Sequence, residues 1–195
     1  MRLIVGITGA TGTIYAVRAL ERLRDAGVET HLVLSRWGAR TLLHETRYTV
    51  AQVEALATEV HAPNDLGASI ASGSCRADGM IIAPCSMKTL GAVAHGVGDG
   101  LIHRAADVTL KERRRLLLVV REAPLSEIHL SNMLTLARMG TVILPPMPAF
   151  YTHPTSVDDI IDHTVSRILD QFGIDVPGTN RWSGTMQVGH ASAGD

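Results

Sequence analysis

The sequence predicts a doubly wound α/β fold, a mostly parallel sheet with helices on both faces. Three observations carry this reading. Short apolar runs alternate with segments of helical periodicity over residues 1–176, the pattern of strands joined by crossover helices. A glycine-rich turn, Thr8 to Gly12, separates the first apolar run from the first helical pattern. Apolar residues make up 46% of the 195, enough for a substantial core, and no run is long enough to span a membrane.

The elements follow in order. Leu3–Thr8 reads as a strand, and Thr13–Ala26 as a helix with Ile14, Val17, Leu20 and Leu23 at three-residue steps. Gly27 is a stop signal, and Glu29–Ser35 is the second strand. Trp37–Glu45 and Thr49–Val60 are expected helices, the latter opened by Thr49 with Gln52 three residues on. His61–Arg76, rich in Ser, Gly, Asn, Asp and Pro, reads as a long loop with room for a short helix. Gly79–Ala83 is a buried strand ending at Pro84-Cys85-Ser86. Helices over Ser86–His95 and Leu101–Glu112 precede the apolar strand Leu116–Val120. Glu127–Arg138 is helical, Thr141–Leu144 a strand stopped by Pro145-Pro146, and Val157–Phe172 the last helix. Residues 1–176 thus form one domain. Residues 177–195 form a polar tail suited to wrapping a neighbour or remaining loose.

Composition narrows the function classes. The formal net charge of -1 gives no reason to expect nucleic acid, and no membrane segment or secretory signal is visible. Two cysteines, Cys75 and Cys85, are too few for a disulfide framework, so a reducing, cytoplasmic setting is the simplest reading. The nine histidines show no metal-ligand spacing, and no metal is expected.

In doubly wound sheets ligands sit outside the carboxyl ends of the strands. Hydroxyls, glycines and cations gather at those ends here: Gly9-Ala10-Thr11, Ser35-Arg36, Ser86-Met87-Lys88-Thr89, Arg121-Glu122 and the exit to Tyr151. A glycine turn at a helix N-terminus is expected to offer free N–H groups to a phosphate. Gly6, Gly9 and Gly12 suit nicotinamide and flavin nucleotides alike. However, the second strand ends without the acidic residue that takes an adenine ribose, and no Tyr-x-x-x-Lys pair occurs. Six of the 18 basic residues fall between Arg104 and Arg121, and Arg104 and Lys111, seven apart, share one helical face. With Tyr151 and Arg167 these cations suit a doubly charged phosphate. Glu45 and Glu122 are candidates for proton transfer, with pKa values expected to rise in a cleft. Cys85 reads as a small buried residue, and His129 as structural.

Seven segments together resemble one family. They are Gly6-Ile-Thr-Gly-Ala-Thr-Gly12, Ala71-Ser-Gly-Ser74, Pro84-Cys-Ser-Met-Lys-Thr-Leu90, Arg104-Ala-Ala-Asp-Val-Thr-Leu-Lys-Glu-Arg-Arg114, Val120-Arg-Glu-Ala-Pro124, His129-Leu-Ser-Asn-Met133 and Pro148-Ala-Phe-Tyr151. In order and over nearly the whole chain, they resemble the UbiX/Pad1 flavin prenyltransferases. The resemblance implies a Rossmann-like, flavoprotein-type fold. It also implies transfer of a dimethylallyl group from dimethylallyl phosphate to N5 and C6 of reduced FMN. The product, prenylated FMN, would serve a partner UbiD-type decarboxylase.

By resemblance, Gly9, Ala10, Thr11, Ser35, Ser86, Met87, Lys88, Thr89 and Arg121 would bind FMN. Lys111, Tyr151 and Arg167 would hold the prenyl phosphate, with Arg104 and Glu122 beside them. Glu45 matches a family active-site carboxylate, and Arg181-Trp182 a tail segment that closes the site. Thr11 and the Glu45, Glu122 and Lys111 trio are thereby the expected catalytic groups. A homododecamer with the flavin between subunits, and no required metal, are also implied. Thr11 departs from the serine of many members, and Leu66 stands where some place an aromatic. A flavin-dependent cysteine decarboxylase is the competing enzyme reading. Its Pro-Ala-Ser-Ala-Asn-Thr motif is replaced here by Ala83-Pro-Cys-Ser-Met-Lys-Thr89. A non-catalytic flavin carrier for a decarboxylase is the third reading.

Overall fold

The computed structural model describes residues 1–179, 181, 182 and 184. Six strands, β1 (Arg2–Ile7), β2 (Glu29–Leu34), β3 (Glu59–His61), β4 (Gly79–Cys85), β5 (Arg115–Val120) and β6 (Val142–Ile143), form one sheet in the order β3-β2-β1-β4-β5-β6. Every pairing is parallel. Seven helices cover it: α1 (Thr13–Asp25), α2 (Arg36–Glu45), α3 (Val50–Glu54), α4 (Met87–Ala94), α5 (Leu101–Lys111), α6 (Glu127–Arg138) and α7 (Val157–Asp170).

Side-chain alternation along the strands builds two cores. Leu3, Val5 and Ile7 of β1 face one side and pack with α1, α2, α3 and α7. Ile4 faces the other, where α4, α5 and α6 pack. A parallel sheet is thus buried on both faces, which is why its strands read as apolar runs.

The expected helix Thr49–Val60 is corrected. Only Val50–Glu54 is helical, and Glu59–His61 is strand β3. Local sequence starts the helix as expected, because Thr49 and Gln52 form a capping box. Long-range pairing then ends it. Thr58 and Thr30 exchange backbone-to-hydroxyl hydrogen bonds of 3.0 and 3.2 Å, seating three residues against β2. The loop that follows holds one short 3-10 turn, Ser69–Ala71. The expected wrapping of a neighbour by the tail falls mainly on residues 183 and 185–195, outside those described.

Two glycines show opposite packing. A Cβ on Gly38 would lie 2.6 Å from the Ile7 carbonyl oxygen, because the first turn of α2 rests directly on the end of β1. A Cβ on Gly91, inside α4, meets nothing closer than the Asn132 side chain at 3.4 Å. Gly38→Ala is therefore expected to lower unfolding free energy by about 1–3 kcal/mol. Gly91→Ala should raise it by about 0.5–1 kcal/mol through helix propensity. Denaturant unfolding of the two variants checks both signs.

Candidate active site at the carboxyl end of the sheet

The strand order reverses between β1 and β4. From β1 the chain proceeds outward to β2 and β3, then returns to place β4 on the other side of β1. Crossover connections on opposite faces leave a crevice at such a switch point. Thr8 bridges it. Its hydroxyl donates to the Pro84 carbonyl at 2.6 Å and accepts the Ser86 N–H at 2.9 Å. The side chain is buried, so both bonds are made away from water.

A cleft of about 410 Å³ opens beside this bridge. Thr8, Gly9, Ser35, Arg36, Trp37, Pro63, Asn64, Ser86, Lys88, Thr89, Asp99 and His103 are among the residues that line it. Two helices start at its wall. Ser35 caps α2, accepting the Gly38 N–H at 2.9 Å, and Ser86 caps α4, accepting the Thr89 N–H at 3.3 Å. Their positive ends, with Arg36 and Lys88, outweigh the one lining carboxylate, Asp99, and suit the cleft to an anion. Gly9 permits the close pass of the turn: a Cβ there would sit 2.5 Å from Cβ of Trp37. Met87 turns away and packs on the second core.

At the third helix N-terminus, that of α1, two of the N–H groups after the glycine turn are already taken. Glu45, at the end of α2, accepts the N–H groups of Gly12 and Thr13 at 2.9 and 3.2 Å, and the Thr13 hydroxyl at 3.2 Å. The anion at α1 is thus the protein's own carboxylate. The expected rise in its pKa is corrected. Burial favours the protonated form, but hydrogen bonds from the Thr11 hydroxyl, Gly12 and Thr13 outweigh it and hold the carboxyl below its ordinary range. Glu45 is a carboxylate at neutral pH, placed to accept a proton, with Thr11 beside it.

The expected phosphate ligands are dispersed within one chain. Arg121 and Glu122 are exposed just past β5, at the cleft end of the sheet. Arg104 lies on α5, bound to the Ala71 carbonyl and Asp107. Lys111, at the other end of α5, is paired with Glu112. α5 runs back toward the start of β5, so Lys111 lies far from the cleft end of its own sheet. Tyr151 lies in a short turn against α7, its ring edge-on to His163 and Trp182 with centroids 5.7 and 5.6 Å apart. Arg167 and Arg181 share Asp170, at 2.8 and 2.8 Å. Hydrogen bonding from Arg181 holds the Asp170 carboxyl below its ordinary range. The α5 cations and the α7 cations therefore stand on opposite faces of the sheet.

Some residues escaped the sequence reading. His163 is one α-helical turn from Arg167 and touches Tyr151; that spacing was the available signal. His103 lines the cleft. His31, Glu59 and His61 converge at the sheet edge, a grouping made by strand register that sequence spacing does not display. Cys85 is fully buried, and burial pushes its thiol up, consistent with a packing role.

The fold and cleft define an α/β protein that binds an anionic ligand at a sheet switch point. The profile of the Flavoprotein family matches residues 1–169. A probable UbiX-like flavin prenyltransferase of Streptomyces sp. (strain D7) is 61% identical over 99% of this chain and 96% of its own. The crystal structure of a dodecameric FMN-dependent Ubix-like decarboxylase from Escherichia coli O157:H7 is 57% identical, with TM-score 0.93, covering 94% of this chain and 100% of that one. The crystal structure of AnUbiX (PadA1) in complex with FMN and dimethylallyl pyrophosphate is 54% identical, with TM-score 0.93, covering 95% and 98%. The chain belongs to the Flavoprotein family and, within it, to the UbiX-like flavin prenyltransferases.

Glu45 yields a test of its own. Its folded-state pKa is depressed, so its stabilisation is present above the ordinary value of 4.5 and lost as pH falls through the lower folded value. Glu45→Gln should cost about 0.5–1 kcal/mol at pH 7, a figure kept small by solvent exposure. The gap to wild type should narrow as pH falls below 4.5 and close once it is under the lower folded value. Urea titrations in a series from pH 7 downward measure it.

Proposed function

We propose that this chain transfers a dimethylallyl group from dimethylallyl phosphate to N5 and C6 of reduced FMN, releasing prenylated FMN for a UbiD-type decarboxylase. The observation that carries the reading is the cleft at the β1/β4 switch point, where two capped helix N-termini meet Arg36 and Lys88. The likeness to AnUbiX, solved with FMN and dimethylallyl pyrophosphate, supports it.

In this reading Gly9, Ala10, Thr11, Ser35, Ser86, Met87, Lys88, Thr89 and Arg121 receive FMN, the helix ends and Lys88 meeting its negative charge. Lys111, Tyr151, Arg167 and Arg104 hold the donor phosphate. Breaking the allylic C–O bond sends its electron pair to that phosphate, so fixed donors count most as the bond stretches. N5 bonds the allyl carbon as the C–O bond breaks and gives up its proton; the remaining double bond takes up a proton, its tertiary carbon bonds C6, and the proton displaced from C6 leaves with the phosphate or through Glu45 or Glu122. Arg181 and Trp182, resting on Asp170 and Tyr151, cover the donor and exclude water.

Lys111 and Arg167 lie on opposite faces of one sheet, so a site that uses both takes them from different chains. The protein therefore acts as a homo-oligomer, a dodecamer like its Escherichia coli relative. Exposed apolar side chains over 125–150, among them Leu125, Ile128, Leu134, Met147 and Phe150, support an extensive partner surface. Among the described residues no helix is long and apolar enough to cross a membrane, and the proposed location is the cytoplasm.

Purified protein with reduced FMN and dimethylallyl phosphate should yield a flavin heavier by one C5 unit in mass spectrometry; unchanged FMN contradicts the proposal. Lys111→Ala and Arg167→Ala should each bind FMN yet slow transfer by roughly ten- to a hundredfold, the loss of one charge-assisted contact. Co-expressing the two variants should restore about a quarter of wild-type activity, since random assembly gives that share of sites both residues. Residues drawn from a single chain would give no such rescue.

A further inference from the structure

We infer that the sheet edge carries a metal site, in which His31, Glu59 and His61 take one zinc-type divalent cation and pin β3 to β2. Strand geometry assembles the ligands. Glu59 and His61 alternate with Val60 and so share a face of β3. The parallel register sets His31 against Glu59 and Val33 against His61, which brings His31 onto that face. The His31 Nδ1 and His61 Nε2 atoms are 2.9 Å apart. Glu59 places Oε2 3.6 Å from His31 Nδ1 and Oε1 3.6 Å from His61 Nε2. All the ligand atoms lie within 4.8 Å of one another, so modest side-chain rotations bring them to the roughly 2 Å bonding distance of Zn²⁺ to imidazole and carboxylate.

The surrounding layer fits the same purpose. The outer nitrogen of His31, Nε2, lies 3.3 Å from Glu29 Oε1, and Glu29 is held by Arg2 at 2.8 Å. That carboxylate fixes the proton on Nε2 and leaves the Nδ1 lone pair turned inward, as in metal-bound histidines. Two neutral imidazoles and one carboxylate favour zinc-like ions over Mg²⁺ or Ca²⁺. Both rings are buried, at 3% and 7% exposure, whereas Glu59 reaches solvent and leaves a fourth position for water.

Binding has a defined starting point. The ring centroids are 5.1 Å apart with 17° between planes. With nitrogens at 2.9 Å, this sets the rings edge to edge, His61 Nε2–H donating to His31 Nδ1. Coordination exchanges that bond for two metal bonds. His61 shifts its proton to Nδ1, and the rings swing toward Glu59.

The consequence reaches the cleft. β3 is three residues long and pairs with β2 alone. Pro63 and Asn64, which line the cleft, follow two and three residues after His61. A cation here stiffens the strand that leads into the cleft wall.

The test is equilibrium dialysis of the metal-stripped full-length oligomer against Zn²⁺, with Co²⁺ absorption reporting the ligand set and thermal melting run in parallel. Wild type should bind one ion per chain and melt higher with Zn²⁺. His61→Gln and Glu59→Gln should each weaken binding by on the order of tenfold or more and lose the Zn²⁺-dependent rise. His95→Gln, at the exposed end of α4, should behave as wild type. Glu59 is at the surface, so its variant keeps the test decisive if His61→Gln does not fold. Binding of less than one ion per chain, or wild-type affinity in Glu59→Gln, overturns the inference.

Discussion

The bridge made by Thr8 is the constraint on which the site depends. β1 and β4 are neighbours in the sheet but lie far apart in sequence, and the turns after them leave in different directions. A buried hydroxyl that donates to Pro84 and accepts from Ser86 fixes the two exits relative to one another. Ser86 then starts α4 at a set position, and Ser35, held by its N–H to the Ile7 carbonyl, starts α2. The two positive helix ends are aimed by backbone geometry before any ligand arrives, so little reorganisation opposes binding.

Glu45 plays the complementary part. It takes up the N–H groups of Gly12 and Thr13 at the start of α1. It also ties the last turn of α2 to the first turn of α1. The same carboxylate that stabilises the turn is thus held ionised beside Thr11. One chain alone presents the cleft but splits the cations proposed to bind the donor phosphate between the faces of the sheet. In that proposal exposed Arg104 and Lys111 on one face, and Arg167 with Tyr151 on the other, share a target only through assembly.

Much of this was legible in the sequence because it is local. Apolar runs and glycine turns gave the strands and their order of appearance. Ser86, at the start of a helical pattern, is readable as a helix cap, whereas Ser35 reads only as a strand end. The rest is long-range. β3 was hidden because three residues carry too little pattern to outweigh a helix signal, and the Thr30–Thr58 exchange that seats them joins separate segments. The clustering of His31 with Glu59 and His61 depends on that same register. The lowered pKa of Glu45 follows from hydrogen bonds across more than thirty residues, which burial reasoning alone misjudges in sign. Helical spacing gives Lys111 a shared face with Arg104, but not its position along the sheet, which the direction of α5 sets.

The most direct measurement is a crystal structure of the full assembly with FMN and a non-reacting analogue of dimethylallyl phosphate. The flavin is expected over the carboxyl ends of β1 and β4, its anionic end at the starts of α2 and α4. The analogue's phosphate is expected between Lys111 of one chain and Arg167 of another. A flavin seated elsewhere, or a phosphate held by Lys111 and Arg167 of one chain, would contradict the proposed site.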